Sequence, residues 1–547
     1  MRRVSSHPGL QVGPAARWIR LSFWLVLLTP LLFALTHRSL TAFDEGYYAL
    51  QARWILQNHQ WLVPQYFGHF DFDRSIGLQW MIAISFKLFG VSVFAARLPV
   101  LLAAGLTLLL TYKIATRLAD DLKLPPALFA TFSAVILALT PLWLNYTHYA
   151  GQDIPLLAAE LLCVFAILKT DESSHWVWSW LIGIALSLAF FIKGFMVAVP
   201  MFALAPYVLL YRRHLFFSWR VWGGLLLGVA LIALWLGRAV QLYGWETVSP
   251  LWSKLLWLSH GAKSGPAKAV FGGHGTGYYF WNIPANAFPW PLVAIFGWIA
   301  ALRKTVQPRG RYFLCFYPLL VLTFLLIFKT KTPYYPIQML PFIAMAAALF
   351  LSRLAMDENA GRGFFVSLKV TAVVLVTAAL LFILGSLTHW VNLSGGSDTY
   401  SYLILLLLLI LPWLFIRQQK SNLRSVVLFM VGPWLALCGL VQMGMLDDRT
   451  PAVRQLAQQT AVSSVVRHHP VEFVISPEHL TVDSKQLIVL AFYSDVVGAR
   501  VARVADLAHG SYAWVQGEKH RRGLSHSDTR IYQGRKPMND WTLIYHS

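Results

Sequence analysis

Thr41-Ala-Phe-Asp-Glu-Gly-Tyr-Tyr-Ala-Leu50 stands a few residues beyond an apolar run, Trp18 to Thr36, which follows Arg2, Arg3 and Arg17 and holds Arg20 at its start. That run is too long for a cleaved leader and lacks a small-residue cleavage site, so it reads as a retained anchor with its basic flank inside. Asp44 and Glu45 then fall at headgroup height on the outer side. Adjacent acids just past a span are ordinarily solvated charge. Here they would face lipid phosphate and sit among aromatics that lower the local dielectric, which marks them as functional candidates.

Working outward, the 547 residues are 57% hydrophobic and 13% charged, with a mean hydropathy of +0.56. A soluble domain carries about twice that charged fraction, so a water-soluble enzyme is excluded. Runs of roughly 20 apolar residues give about thirteen expected transmembrane helices, centred near residues 27, 105, 134, 161, 184, 203, 229, 294, 320, 343, 376, 408 and 434. The net charge of +21 does not point to nucleic acid, because no basic run is interleaved with base-stacking aromatics. It collects instead in the expected inner loops, at Arg117/Lys123, Lys169, Arg212/Arg213/Arg220, Arg303/Lys304/Arg309/Arg311, Arg353/Arg362 and Arg417/Lys420/Arg424. Such a bias places those loops and the N-terminus in the cytoplasm. The outer connections near 146–152 and 389–400 hold no Lys or Arg. Cys163, Cys315 and Cys438 lie in apolar runs and suit neither a disulfide framework nor a metal spacing.

Two domains are expected. Residues 1–446 form the membrane domain, with a long first outer loop (38–92) holding interfacial helices such as Leu78 to Phe89, and a Gly-, Trp- and Tyr-rich second outer loop (241–285). An odd number of spans puts 447–547 outside as a small soluble α/β domain. Its sequence reads as a helix over Pro451 to Arg467, then strands near Glu472–Ile475, Gln486–Tyr493, Arg500–Val504, Tyr512–Gln516 and Trp541–Tyr545.

Other charges join Asp44 and Glu45 on the outer side. Asp153 follows Tyr146-Thr-His-Tyr-Ala-Gly-Gln152 at a span mouth; Lys193 lies in Phe190-Phe-Ile-Lys-Gly-Phe195; Lys329 and Lys331 precede Tyr334-Tyr335; Arg74 lies in Phe70-Asp-Phe-Asp-Arg-Ser75. Snorkelling would explain any one of these cations, but not their convergence. Outside the cytoplasm there is no ATP, and the chain has no Walker loop or dinucleotide glycine fingerprint. A group transfer there must use a pre-activated donor. A sugar on a polyprenyl phosphate fits: cations stabilise charge growing on the leaving phosphate, and one carboxylate takes the acceptor's proton. Direct displacement inverts the anomeric carbon. The acids are hard oxygen ligands, with His148 near Asp153, but no tight ligand cluster appears. Metal-independent catalysis without a cofactor is expected.

Asp44-Glu45-Gly-Tyr-Tyr-Ala-Leu50, Trp61-Leu-Val-Pro64, Lys87-Leu-Phe-Gly90, Ala95-Ala-Arg-Leu-Pro99, Gln152-Asp-Ile-Pro155, Lys193-Gly194 and Tyr334-Tyr-Pro-Ile-Gln-Met-Leu-Pro341 resemble the bacterial membrane glycosyltransferases of the GT-C class. Within that class the chain is similar to the protein-mannosyltransferase and aminoarabinose-transferase superfamily, over about residues 18 to 350. The resemblance implies a multi-pass protein of the bacterial inner membrane, catalysis at its outer face and a polyprenyl-phosphate-sugar donor. It implies an acceptor hydroxyl on lipid A or another glycolipid, a protein or a glycan. Asp44 matches the acid that acts as base or orients the acceptor, with Glu45 beside it. Asp153 matches the second acidic position, and Arg74, Lys193, Lys329, Lys331, Tyr334 and Tyr335 the donor-phosphate contacts. Two departures stand out: Tyr47 where many relatives have Arg, and Asp73-Arg74-Ser75 where they have Glu-Lys-Pro. An alternative reading, a lipid or polysaccharide transporter, calls for paired charges near the bilayer midplane, whereas these sit at span ends.

Overall fold

The computed structural model describes residues 28–32, 38–170 except 68, 71 and 73, 176–253, 275–357 except 329, 361–387, 396–416, 422–444, 451–475, 484–517, 524–533 except 526, and 541–547. Most of the Trp18–Thr36 anchor, Asp71, Asp73, Lys329 and the middle of the second outer loop lie outside the described residues.

Apolar sequence becomes helix here because a chain in lipid must satisfy its backbone polar groups internally. Among the described residues, seven helices are long and apolar enough to cross a membrane, or nine if each of two bent pairs counts as one span. The bends fall between Pro126–Ala138 and Pro141–Thr147, at 66°, and between Tyr278–Asn286 and Trp290–Ala301, at 107°. Prolines at the start of the second helix of each pair, Pro141 and Pro291, fit these breaks. The two apolar runs expected near 184 and 203 form one helical stretch, Trp176–Tyr211, interrupted by a 3-10 turn at Gly194–Val197. Its 36 residues would reach about 54 Å if straight, well past a 30 Å hydrocarbon core.

Tyr335–Met356 is the central helix and is mostly buried, while Trp219–Tyr243 and Arg362–Ser386 are mostly exposed and present Leu, Val and Trp side chains outward. A helix that is apolar yet exposed has lipid as its solvent.

The first outer loop is structured. A π-helical turn, Ala42–Gly46, closes on a Gly46 N–H to Thr41 carbonyl bond of 2.7 Å and runs into the helix Tyr47–Gln57. A two-residue hairpin follows, β1 (Gln65–Tyr66) with β2 (His69–Phe70). The helix Gly77–Phe89 comes next, packing Ile82 and Phe86 inward and exposing Ile84, Leu88 and Phe89. That exposed apolar face agrees with an interfacial helix.

Beyond Pro451 the chain forms a five-stranded mixed sheet of β3 (Pro470–Val474), β4 (Val496–Val501), β5 (Ser511–Gln516), β6 (Thr529–Gln533) and β7 (Trp541–His546). The spatial order is β4-β3-β5-β7-β6, with β3 parallel to β4 and β5, and β7 antiparallel to β5 and β6. Two expectations are corrected. The helix over 451–467 is broken into Pro451–Gln458 and Thr460–His468, and the supposed strand at Gln486–Tyr493 is the helix Ser484–Tyr493, the crossover between parallel strands β3 and β4. This domain's core is shared with the first outer loop: Ala42, Leu50, Trp54 and Phe67 join Val471, Phe473, Leu487 and Leu490 in one cluster.

Candidate active site

The π-helical turn decides where the two acids point. Asp44 turns toward the first-loop segment at Arg74, whose Nη1 donates to its carboxylate at 2.6 Å and to the Tyr48 hydroxyl at 2.6 Å. The guanidinium also lies over the rings of Tyr47 and Tyr48, 5.3 and 5.1 Å from their centroids. Tyr47 thus supplies a face for Arg74 to stack on. A third of the Asp44 side chain stays exposed. Burial pushes its carboxyl up, but the charge and hydrogen bond of Arg74, the charge of Lys193 and a Tyr149 hydrogen bond together hold it below the ordinary carboxylate value. Burial, then the charges of Asp44 and Glu45, raise the Tyr149 phenol well above its usual range, so its hydroxyl remains a donor.

Glu45, expected beside Asp44 in the chemistry, faces the other way and is fully buried. One carboxylate oxygen accepts from Arg97 Nε at 2.6 Å and the Ala150 N–H at 3.0 Å; the other accepts from Arg97 Nη2 at 2.9 Å and the Thr41 N–H at 2.9 Å. Arg97 further donates to the carbonyls of Arg38 and Ser39. Four donors leave Glu45 no open lone pair for a substrate, and the pair pins the acid turn to the helix Val93–Leu122 and to the 149–152 turn. Its role is therefore corrected from reacting group to clamp.

Asp153, first residue of the helix Asp153–Lys169, pairs with Lys193, last residue of Trp176–Lys193. The Lys193 ammonium lies 5.0 and 5.5 Å from the ring centroids of Tyr334 and Tyr335. Tyr334 packs on Tyr146 with centroids 5.2 Å apart. Asp44 and Asp153 feel each other's neighbourhood through Lys193, which acts electrostatically on both. The two ion pairs are held together by close backbone packing. A Cβ on Gly77 would stand 2.5 Å from the Phe191 carbonyl oxygen, Gly194 at φ +55° would meet Ser75 Oγ at 3.0 Å, and Gln152 Nε2 donates to the Ser75 carbonyl at 3.2 Å.

The structure thus brings Asp44, Arg74, Asp153, Lys193, Tyr334 and Tyr335 to one place, and adds Tyr48 and Tyr149. It does not bring Lys331 there by its amine. That Nζ donates to the carbonyls of Leu326 and Phe328 at 3.1 and 2.8 Å, closing the end of the helix Tyr317–Ile327. Tyr48 was hidden in the same motif as the acids, and Tyr149 in the run before Asp153. Their only signal was aromatic density beside a charge. His148 is buried with its Nδ1 3.1 Å from Arg38 Nη2. Among the described residues no group of three or more His, Cys, Asp or Glu side chains could hold a metal ion.

Residues 73–237 match the family model described as dolichyl-phosphate-mannose-protein mannosyltransferase. The undecaprenyl phosphate-alpha-4-amino-4-deoxy-L-arabinose arabinosyl transferase of Serratia proteamaculans is 28% identical over 348 residues, 62% of this chain and 59% of that protein. A Pseudomonas fluorescens protein of the same name is 26% identical over 411 residues, 73% and 70% of the two chains. The sequence match to the first of these curated relatives therefore spans about three-fifths of its length. The solved structure of ArnT from Cupriavidus metallidurans bound to undecaprenyl phosphate superposes with a TM-score of 0.72 at 18% identity, covering 97% of this chain and 98% of that one; its apo form gives 0.69 at 17%. Sheet domain, broken spans and structured outer loop together, the chain has the fold of the GT-C class of membrane glycosyltransferases.

Proposed function

We propose that this protein is a polyprenyl-phosphate-sugar-dependent glycosyltransferase that moves the sugar, with inversion, to an acceptor hydroxyl at the outer face of the membrane. The observation that carries the reading is the meeting of two acid–cation pairs, Asp44–Arg74 and Asp153–Lys193, within a rim of tyrosines at the ends of the helices. The similarity to transferases named for an undecaprenyl-phosphate-linked aminosugar supports the donor class.

In this mechanism Arg74 and Lys193 receive the donor phosphate and Asp44 is the base. A phosphate taking hydrogen bonds from Arg74 competes with Asp44 for that guanidinium. Freed of Arg74, the carboxylate keeps the burial that raises its pKa, and so becomes a better proton acceptor as the donor settles. The acceptor oxygen attacks the anomeric carbon, its proton passes to Asp44, and the bond from the anomeric carbon to the phosphate oxygen breaks. Polyprenyl phosphate leaves with the electron pair, its growing charge held by the two cations. Asp153 positions Lys193, and Glu45 positions Asp44 by fixing the turn that carries both.

The test combines mass spectrometry of the protein purified in native lipid with transfer assays on Asp44→Asn. A co-purifying polyprenyl-phospho-sugar, retained by the variant while transfer is lost, is the expected result. Transfer at the wild-type rate in Asp44→Asn removes Asp44 from the mechanism. A transporter would move substrate across the membrane without covalent transfer, and the same purified protein in vesicles distinguishes the two.

A further inference from the structure

At the other end of the bundle lies a cavity of about 880 Å³ between the ends of three helices, Val93–Leu122, Trp290–Ala301 and Leu340–Met356. It is far from the site above: Arg97 clamps Glu45, and Leu122 lines this cavity 25 residues further along the same helix, roughly 38 Å away at 1.5 Å per residue. Its lining divides into two chemistries. Lys123, Arg303 and Arg353 supply three cations against the single acid Asp357, while Phe296, Ile299, Phe350 and Met356 supply apolar wall.

A bland account exists for the cations alone, since helix C-termini carry partial negative charge and attract them. It does not account for the wall. Phe296 and Phe350 stack with ring centroids 4.9 Å apart, and Phe296 and Ile299 on Trp290–Ala301 are 49% and 58% exposed, as is Met356 (51%) at the end of Leu340–Met356. Among the described residues, none of Lys123, Arg303 and Arg353 lies within salt-bridge distance of a carboxylate. Just behind Leu122 and Lys123, Arg309 Nε and Nη2 grip the two carboxylate oxygens of Asp121 at 2.7 and 3.1 Å, the Gln307 N–H donates to the Asp121 carbonyl at 3.1 Å, and Lys123 caps its helix in the left-handed region at φ 56°.

We propose that this cavity binds the headgroup of an anionic membrane phospholipid, its phosphate on Arg303, Arg353 and Lys123 and the start of an acyl chain along Phe296 and Ile299. Charge complementarity selects the anion. The exposed apolar wall, continuous with the lipid-facing side of Trp290–Ala301, selects a lipid over a soluble phosphate. The sequence places these loops inside, where anionic headgroups meet basic pockets between helices. The volume suits a headgroup and its first carbons, within the roughly 300–1,000 Å³ of small-molecule sites.

The full-length protein in mild detergent, titrated with phosphatidylglycerol or with phosphatidylcholine of the same chains and read by native mass spectrometry, tests this. The wild type should retain phosphatidylglycerol about tenfold more strongly. K123Q/R303Q/R353Q should lose that preference and R303K/R353K should keep most of it. Should the triple variant fail to purify, R303Q and R353Q singly carry the same comparison. Equal retention of the two lipids, or a preference untouched by the glutamine variants, overturns the proposal. Displacement of the lipid by millimolar inorganic phosphate also overturns it, because the site would then take a soluble anion.

Discussion

Asp44 is ionised because of Arg74 more than because of water, and the consequence is measurable. Its folded-state pKa lies below the ordinary carboxylate value. The charged form is therefore the only one present at neutral pH, and the pair's contribution is lost only as pH falls below about 4 through that depressed value. In the wild type at low donor concentration, where the rate reports the free enzyme with Arg74 still on Asp44, this acid should cause no fall in transfer between roughly pH 7 and pH 5. Arg74→Gln removes the strongest opposing charge and leaves burial to raise the carboxyl, so the acid limb should move to higher pH. Initial rates against pH, each normalised to its own maximum, check this; superimposable curves would mean that Asp44 does not titrate in the reaction. Asp44, Arg74, Asp153 and Lys193 could be found in the sequence because a charge among aromatics at a span end needs a reason wherever its partner lies. The separate fates of Asp44 and Glu45 could not, because they depend on a π-helical turn that aims adjacent side chains apart. Nor could Lys331, whose amine folds back on the preceding helix end.

The strip from Arg74 to Gly77 is laid against the end of Trp176–Lys193 with no room for an added methyl at Gly77. Gly77→Ala must push back the Phe191 backbone, and overpacking of this kind costs typically about 1–3 kcal/mol. Because the same strip sets Arg74 beside Lys193, transfer should fall along with thermal stability. Gly105→Ala, in a helix with nothing within 4 Å of the new Cβ, should leave transfer intact and hold or slightly raise the melting temperature. Equal behaviour of the two variants would show that the close approach at Gly77 has no part in site geometry. Helices in lipid announced themselves through length and composition. The helix Ser484–Tyr493 did not, because its Leu487, Ile488, Val489, Leu490 and Ala491 are all buried, against the sheet on one side and the acid turn on the other. An element buried all round has no polar face to reveal its period.

The extracytoplasmic sheet expected from sequence is packed against the first outer loop instead of hanging from the last span. Arg53, almost wholly buried, donates through both terminal nitrogens to the carbonyls of Phe492 and Asp495, and Phe67 stacks edge-on with Phe473 at 5.3 Å. Arg53→Ala should lower stability by about 1.5–3 kcal/mol for each charged hydrogen bond lost. Amide exchange should then accelerate over 487–493 and in the 42–46 turn together, while the lipid-embedded helices keep their protection. Faster exchange in only one of the two segments would contradict a shared core. Composition was enough to read a multi-pass membrane protein, since apolar helices follow from the bilayer as solvent. The mutual packing of tail and loop was not readable, since nothing in either segment names a partner 439 residues away. That separation sets a schedule for biogenesis. A ribosome adding about 5–20 residues per second makes the turn bearing Asp44 roughly 20 to 90 s before the helix that backs it. Until Ile488 arrives behind Gly46, the turn is held by Arg97 and the Ala150 N–H on one side and has no backing on the other.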